Sequence, residues 1–366
     1  MNSQRKHIVL AAAALCAGFA LFHPAGAQDQ RGAPVTEKRS VPAFDAIELD
    51  GPFRVIVSDG PPGLELSGDP ARLADIETTV RNGKLVVRQK SRWNIQFGFG
   101  KHQDRSPVVR IGAAGLRSLD TDGSGDVELD HLSGPRFALN ASGPGDVRAR
   151  GEVRDLAVTS SGSGDLDLRR LHADKLELAM SGPGDVRVAG IGRELSARVS
   201  GPGDLEGEDL RLERAVARLS GPGDVNLRGS TRELRVEVRG PGDFDGCGLE
   251  AERVDTVQNG PGDACVAGNI RQFEAEVQGS GDLEARGLRA GRAVLRMGGP
   301  GNATLSGSAD ELRAELSGSG SLEGRRLTVR RSDISVRGPG NAKVSQVRDG
   351  RSELVVVERN GRRNGG

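Results

Sequence analysis

Apolar and polar residues alternate with a period of two over most of the chain. Leu195, Ala197 and Val199 are each separated by one polar residue, and residues 234–238 repeat the pattern. Such alternation places aliphatic side chains on one face and polar side chains on the other, which is typical of half-buried β-strands. Each unit contains too little apolar surface to fold alone, so we expect the units to stack and share a core of aliphatic ladders.

A four-residue motif separates these strand-like segments. It reads Gly, then Ser or Pro, then Gly, and usually ends in Asp, and the positions of successive motifs differ by 20 and 19 in alternation. This regularity predicts an all-β fold, a parallel β-solenoid (β-helix) of about twelve repeats. The fourth residues of the motifs are Asp126, Asp146, Asp165, Asp185, Asp204, Asp224, Asp243, Asp263, Asp282, Asn302, Ser321 and Asn341.

The alternation of 20 and 19 leaves two ways to wind the coil. If one repeat makes one coil, the additional residue of each longer repeat must bulge at the same corner of every second coil. If a longer and a shorter repeat together make one coil, long repeats stack on long and short on short. We favour this two-repeat coil because it satisfies the backbone hydrogen bonds more uniformly.

The motif itself has the chemistry of a tight turn. Its two glycines permit positive φ, Pro presets φ at about −65°, and Asp can accept a nearby backbone N–H in an Asx-type turn. This interpretation makes the repeated aspartates turn-forming residues and predicts no metal and no cofactor. The turn-forming aspartates include Asp126, Asp146, Asp165, Asp263 and Asp282.

Calcium binding is the alternative for the aspartate column. Carboxylates on strands about 4.8 Å apart would repel one another, and a bound cation would relieve the repulsion. Calcium-binding β-rolls use a nonapeptide repeat, however, and neither 19 nor 20 is a multiple of nine. The weak candidates for Ca²⁺ are Asp185, Asp204, Asp224 and Asp243.

The first 27 residues have the pattern of an export signal. Arg5 and Lys6 precede an apolar run from Ile8 to Phe22, and residues 25–27 supply a small-residue cleavage pattern. The apolar run is shorter than the roughly 20 residues of a spanning helix. We therefore predict a signal peptide (1–27), a periplasmic or cell-surface location in a bacterium, and no membrane span after signal removal.

The remaining chain divides into three regions. Residues 28–115 are predicted to form a β-rich cap, with a hairpin at Asn82-Gly83 and a helical turn capped by Asp69. Residues 116–348 are predicted to form the solenoid repeats, and residues 349–366 a final strand and a disordered tail. Caps are expected because an uncapped solenoid exposes strand edges. Residues 90–106 form a loop long enough to suggest a function.

Composition argues against two classes of function. The 51 Lys and Arg balance the 51 Asp and Glu, and no long single-sign block is present, so we expect no nucleic-acid partner. The histidines His102, His131 and His172 lack spacings suited to a metal site or a catalytic base, and aromatic residues are scarce. We therefore predict that the protein is not an enzyme.

The mature chain contains two cysteines, Cys247 and Cys265. In the two-repeat coil they would lie on opposite sides of the solenoid. In a coil of one repeat they would lie on neighbouring coils with Cα atoms about 8 Å apart, beyond the usual disulfide limit of about 7 Å unless the backbone shifts near Gly246 and Gly248. We predict free thiols.

Three segments together resemble a known family. The opening sequence Val-Pro-Ala-Phe-Asp-Ala-Ile-Glu-Leu (41–49), the hairpin arm Gly-Lys-Leu-Val-Val (83–87) and the train of G-S-G-D and G-P-G-D turns are similar to the head GIN domain family of auto-transporter adhesins. The resemblance spans about residues 38–348. It implies a β-helical exported domain and supplies no catalytic residues.

The predicted function is an exported, adhesin-like structural or interaction module of the cell envelope. Its partner would be an envelope protein or polysaccharide. Two alternatives stay open: a β-helical carbohydrate-active enzyme and a calcium-stabilised β-roll-like binding protein.

Overall fold

The computed structural model describes residues 34–90, 106–349, 351–359 and 361–364. Parallel strands wind through almost the whole of this region, which confirms the predicted β-solenoid. The loop suggested for residues 90–106, with Trp93 and His102, lies almost entirely outside the described residues, as does the predicted signal peptide. No helix in the described part of the chain has the length and apolar character needed to cross a membrane.

The described part of the N-terminal region contains eight strands and one short helix. The helix α1 (Pro70–Leu73) begins after Asp69, whose side chain accepts the N–H of Ala71 at 2.8 Å, as predicted. The predicted hairpin at Asn82-Gly83 joins β5 to β6. The strands are β1 (Val35–Arg39), β2 (Ala46–Asp50), β3 (Arg54–Ser58), β4 (Gly63–Gly68), β5 (Ile76–Arg81), β6 (Lys84–Gln89), β7 (Val108–Gly112) and β8 (Ser118–Thr121).

The solenoid proper is built from twelve further strands. Most of them follow the chain nearly all the way from one turn motif to the next. They are β9 (Val127–Ala141), β10 (Val147–Ser160), β11 (Leu166–Met180), β12 (Val186–Ala189), β13 (Ile191–Val199), β14 (Leu205–Leu219), β15 (Val225–Val238), β16 (Phe244–Gln258), β17 (Ala264–Val277), β18 (Leu283–Met297), β19 (Ala303–Leu316) and β20 (Leu322–Val336).

One repeat makes one coil. Leu166 pairs with Val147 of the preceding repeat and with Val186 of the following one, and the same parallel pairing continues to β20. The preferred two-repeat coil is therefore wrong. We name each coil by the fourth residue of the motif that opens it. Coils such as that of Asp165, which have the additional residue, are called long, and coils such as that of Asp185, which lack it, are called short.

Aliphatic ladders fill the interior. Leu156, Leu176 and Leu195 stack on one another in neighbouring coils, and each is at most 2% exposed. The ladder continues through Ala215 to Leu234, so a residue of one coil packs mainly on its equivalents above and below. This is the shared core that the period-two alternation predicts.

The N-terminal region closes one end of this sheet without breaking it. Strands β2 and β3 pair in parallel with β8 and β9, and β6 and β7 continue the stack on the outer side. Beyond them β5, β4 and β1 run antiparallel. The reversal ends the parallel stack on this side, and the role of this region as a cap stays a prediction.

The C-terminal end is finished differently. Strand β21 (Ala342–Arg348) follows only part of β20 and turns back into β22 (Arg351–Glu358), which pairs with β23 (Gly361–Asn364). At the end of the core, the amide nitrogen of Gln346 donates to the carbonyl of Arg330, and its Oε1 accepts from the hydroxyl of Ser332. Strand β23 lies where the sequence predicts disorder.

Candidate functional site: the outer surface of the coils

The stacked turn motifs form a continuous column, which we call the turn column. A Cβ atom added to Gly203 would lie 2.2 Å from the carbonyl oxygen of Gly184, and one added to Gly145 would lie 2.3 Å from that of Gly125. No described motif glycine has φ in the left-handed region. The expectation that these glycines supply positive φ is therefore wrong: they are needed because the backbones of successive turns approach too closely for any side chain.

The aspartates of the turn column link neighbouring coils. The N–H of Asp185 donates to Oδ1 of Asp165 at 3.0 Å, and that of Asp224 donates to Oδ1 of Asp204 at 2.8 Å. We expected an Asx bond within one turn, but each carboxylate accepts from the turn of the next coil. The ladder runs through Asp126, Asp146, Asp165, Asp185, Asp204, Asp224, Asp243, Asp263 and Asp282, and continues to Asn302, Ser321 and Asn341.

Calcium binding by this column stays an alternative to be tested. Within the described residues, the aspartate column holds no three carboxylates with oxygen atoms within 4.8 Å of one another. Among the described residues, the one group of potential metal ligands at that spacing is Asp245 with Cys247 and Cys265. Those two sulfur atoms are bonded to each other, so they are not available as thiolates.

A second corner, three to six residues after the opening Asp, absorbs the difference in length between long and short coils. In the Asp165 coil, Asp167 pairs with Arg148 but Arg170 pairs with Arg150, so one additional residue bulges between them. The freed N–H of Arg169 donates to Oδ1 of Asp167 at 3.3 Å. A β-bulge braced by an acidic side chain therefore solves the hydrogen-bonding problem that argued against a one-repeat coil.

Every long coil places an acidic residue at the bracing position, two residues after its opening residue. Cys247 N–H donates to Asp245 at 3.0 Å and Arg325 N–H to Glu323 at 3.4 Å, as in the Asp165 coil. The residues at this position are Glu128, Asp167, Glu206, Asp245, Glu284 and Glu323. Around Asp167, the guanidinium and N–H of Arg169 lower the carboxyl pKa to about 2.

Short coils use glycine at the second corner. Gly229 has φ of +134°, and a Cβ there would lie 2.2 Å from the carbonyl oxygen of Leu210. The equivalent glycine occurs five residues after the opening residue of every short coil. These residues are Gly151, Gly190, Gly229, Gly268 and Gly307, and all have positive φ. This alternation between two kinds of corner is visible in the chain, but it was not predicted.

The second corner also carries the disulfide. Cys247 and Cys265 lie on neighbouring coils with Cα atoms 5.3 Å apart and their sulfur atoms bonded. The prediction of free thiols is wrong because the bulge of the Asp243 coil shifts the register beyond Gly246. The flanking glycines permit the shift that a bridge requires. The bond is also compatible only with a coil of one repeat.

Opposite charges alternate along the edge that follows the second corner. Lys175, Glu194, Arg214 and Glu233 occupy one column on successive coils, and Arg214 and Glu233 form an ion pair of 3.1 Å. The residue that precedes each of these forms a second column, in which the charge alternates with the opposite sign, as in Arg193, Glu213 and Arg232. In the first of these columns long coils are basic and short coils are acidic, with Gln272 as the exception, so this edge presents nearly balanced charge.

Shallow grooves lie between the outward side chains. One of about 590 Å³ is lined by Arg148, Arg150, Asp167 and Arg169, among others, at the second corner of the first coils. Another of about 310 Å³ lies beside the turn column and includes Arg198, Arg218 and three serines. His131 and His172 line neither groove, and both are exposed.

Comparison with known proteins identifies the family. The chain belongs to the family described as "Putative auto-transporter adhesin, head GIN domain", which matches residues 43–244, 228–305 and 270–349. The resemblance found in the sequence is thereby confirmed. The comparison with curated proteins gave no match.

Several crystal structures are similar at low sequence identity. A "putative adhesin" from Parabacteroides distasonis is 16% identical, with a TM-score of 0.34 and coverage of 83% of this chain and 98% of that one. A "putative adhesin" from Parabacteroides merdae is 15% identical, with a TM-score of 0.33 and coverage of 87% and 97%. A "Putative lipid binding protein" from Parabacteroides distasonis is 19% identical, with a TM-score of 0.34 and coverage of 87% and 98%.

Proposed function

We propose that this protein is an exported, non-catalytic interaction module of the bacterial cell envelope that presents the side chains of its coils to an envelope partner. The observation that carries the proposal is the uninterrupted outer surface of the stacked coils, which we call the wall. From Val127 to Val336 the coils differ in length by one residue, and that residue is absorbed as a bulge. Such a wall repeats its side chains at strand spacing, which suits binding to an extended surface or polymer.

The membership of an adhesin family supports this proposal. A catalytic site on a solenoid would need a loop cluster that brings an acid and a base together. Along the described coils, the acidic residues instead brace bulges, continue the aspartate ladder or pair with arginines. The partner that fits these walls is an envelope protein or polysaccharide.

The test is a pull-down of the tagged full-length protein from its own periplasm and outer membrane. We expect a saturable envelope component to be retained after washing, and immunodetection to place the protein outside the cytoplasm. Failure to bind any envelope fraction, or a cytoplasmic location, would contradict the proposal.

A further inference from the structure

A like-charged pair on the wall breaks the alternation of charge. Arg198 and Arg218 lie directly opposite each other on neighbouring coils, in the second outward column before the turn column. Like charges directly opposite on a sheet are destabilising. On the nearby edge, by contrast, Lys175, Glu194 and Arg214 alternate in sign.

The acidic residues around this pair do not neutralise it. Glu237 on the following coil lies 3.4 Å from Arg218 and is also paired with Arg239. Within the described residues Arg198 forms no close ion pair; Glu177 on the preceding coil interacts with it at longer range, but pairs directly with Lys175 at 2.8 Å. The groove therefore contains three arginines against one glutamate, which leaves an excess of positive charge.

The side chains next to the arginines form a depression. On the preceding coils the same column holds Ala179 and Thr159, which are too short to fill the space beside Arg198. The result is a groove of about 310 Å³ along the stacking direction. A groove of this direction crosses several coils, so it suits an extended chain better than a compact ligand.

One side of the groove is a row of hydroxyl groups. Ser181, Ser200 and Ser220 occupy equivalent positions on successive coils. The Ser200 hydroxyl donates to the carbonyl of Met180 at 3.0 Å, while those of Ser181 and Ser220 form no hydrogen bond with the described residues. Hydroxyls repeated at the strand spacing of about 4.8 Å offer donors and acceptors to a polymer with a polar group on each unit.

We propose that this groove, lined by Arg198, Arg218 and Ser181, Ser200 and Ser220, binds an anionic polysaccharide. The guanidinium groups would donate paired hydrogen bonds to carboxylates of the sugar chain, since planar arginine matches carboxylate geometry. The serine hydroxyls would form hydrogen bonds with the hydroxyl groups of the sugar chain. The proposal rests on the proposed function as an envelope-binding module and specifies the chemistry of its partner.

The direct test is binding of polygalacturonate to the full-length protein, measured by isothermal titration calorimetry, with neutral dextran and polyglutamate as comparison probes. Two variants are compared: R198Q/R218Q and the matched control R193Q/R232Q, which removes the same charge from the second-corner edge. We expect polygalacturonate to bind the native protein and the control, and to bind R198Q/R218Q about tenfold more weakly or worse, because two charge-assisted contacts are lost. Circular dichroism melting shows whether each variant is folded.

Three results would overturn the groove assignment. They are equal losses in both variants, equal binding of polyglutamate and polygalacturonate, and no binding of polygalacturonate by the native protein. Envelope pull-down with R198Q/R218Q separates this proposal from the proposed function. Unchanged capture by the variant overturns the groove and leaves the envelope function standing. A native protein that binds polygalacturonate but no envelope fraction supports the groove and contradicts the function.

Discussion

The turn column and the second corner show two ways of turning a chain within the same coil. In the turn column, backbones such as those of Gly184 and Gly203 approach so closely that neither a side chain nor an additional residue fits. At the second corner, long coils bulge over an acidic brace and short coils use a glycine with positive φ. The turn column therefore fixes the spacing of the repeat, and the second corner absorbs the variation in repeat length.

This difference also explains the paired period of the surface. Because long and short coils alternate, the edge that follows the second corner meets two kinds of neighbour, and charge alternates with them in the column of Lys175, Glu194 and Arg214. A period of two repeats is real, but it describes side chains and bulges on coils of one repeat.

The largest effect is expected from inserting one residue into the turn column, with the same insertion at the second corner as comparison. An alanine between Gly221 and Pro222 would displace a turn whose backbone bonds both neighbours, and we expect a loss of about 5 kcal/mol or more in unfolding free energy, enough to unfold a typical domain. An alanine after Gly229 enters the corner where long coils already hold an additional residue, and should cost about 1 kcal/mol. Urea unfolding followed by circular dichroism measures both. Equal losses would show that the corners do not differ.

The next effect concerns the disulfide at the second corner. The sequence separation of Cys247 and Cys265 is 18, and a cross-link over such a loop stabilises by about 3 kcal/mol through the unfolded state. The C247S/C265S variant should unfold at correspondingly lower urea, and a reducing agent should lower the native protein to the same midpoint. Mass spectrometry after alkylation without reduction provides the check. Two alkylated cysteines in the native protein would contradict the bond.

Some features could be predicted from the sequence and others could not, and the two groups have different physical causes. The spacing of the motifs and the alternation around Val236 are periodic, so they predict the solenoid and its inner face. The choice between one and two repeats per coil depended on whether a bulge can be satisfied. That required knowing that Asp167 accepts the N–H of Arg169, a contact between residues two apart that no periodicity reveals.

The grouping of surface residues could not be predicted from the sequence either. Arg198 and Arg218 are neighbours only when one repeat makes one coil, so the preferred two-repeat coil would have placed them on opposite sides. The same error separated Cys247 from Cys265. Register between coils, rather than the identity of the residues, was the missing information.

A glycine substitution tests the close approach of successive turns. Gly203→Ala places a Cβ 2.2 Å from the carbonyl oxygen of Gly184 and should destabilise the protein by about 2 kcal/mol, the range of overpacking. Gly291→Ala is the matched control, because a Cβ there meets nothing within 4 Å. Its unfolding free energy should change by less than about 0.5 kcal/mol. A neutral Gly203→Ala would show that the turns can separate.

A smaller effect is expected from the acidic brace at Asp167. Its pKa is lowered to about 2 by Arg169, so the folded state favours the carboxylate. The contribution is present above the unfolded pKa of about 3.9 and is lost as pH falls toward the folded value. Because the pair is partly exposed, we expect Asp167→Asn to lose only about 0.5–1 kcal/mol at pH 7. The difference between variant and native protein should shrink between about pH 4 and pH 2; a difference independent of pH would exclude the charge as its cause.

The smallest expected effect is that of calcium on the turn column. Oδ1 of each aspartate already accepts the N–H of the next coil, as between Asp204 and Asp224, so the column is stabilised without a cation. We expect millimolar Ca²⁺ and EDTA to leave the melting temperature unchanged, whereas an ion present at 100 times its dissociation constant would add about 2.7 kcal/mol. Asp224→Asn is the decisive variant, because Asn302 shows that an amide oxygen continues the same ladder by accepting the N–H of Ser321 at 3.1 Å. If the aspartates only link turns, Asp224→Asn and the native protein should respond identically to Ca²⁺. A calcium-dependent rise in melting temperature that disappears in Asp224→Asn would instead assign the column to metal binding.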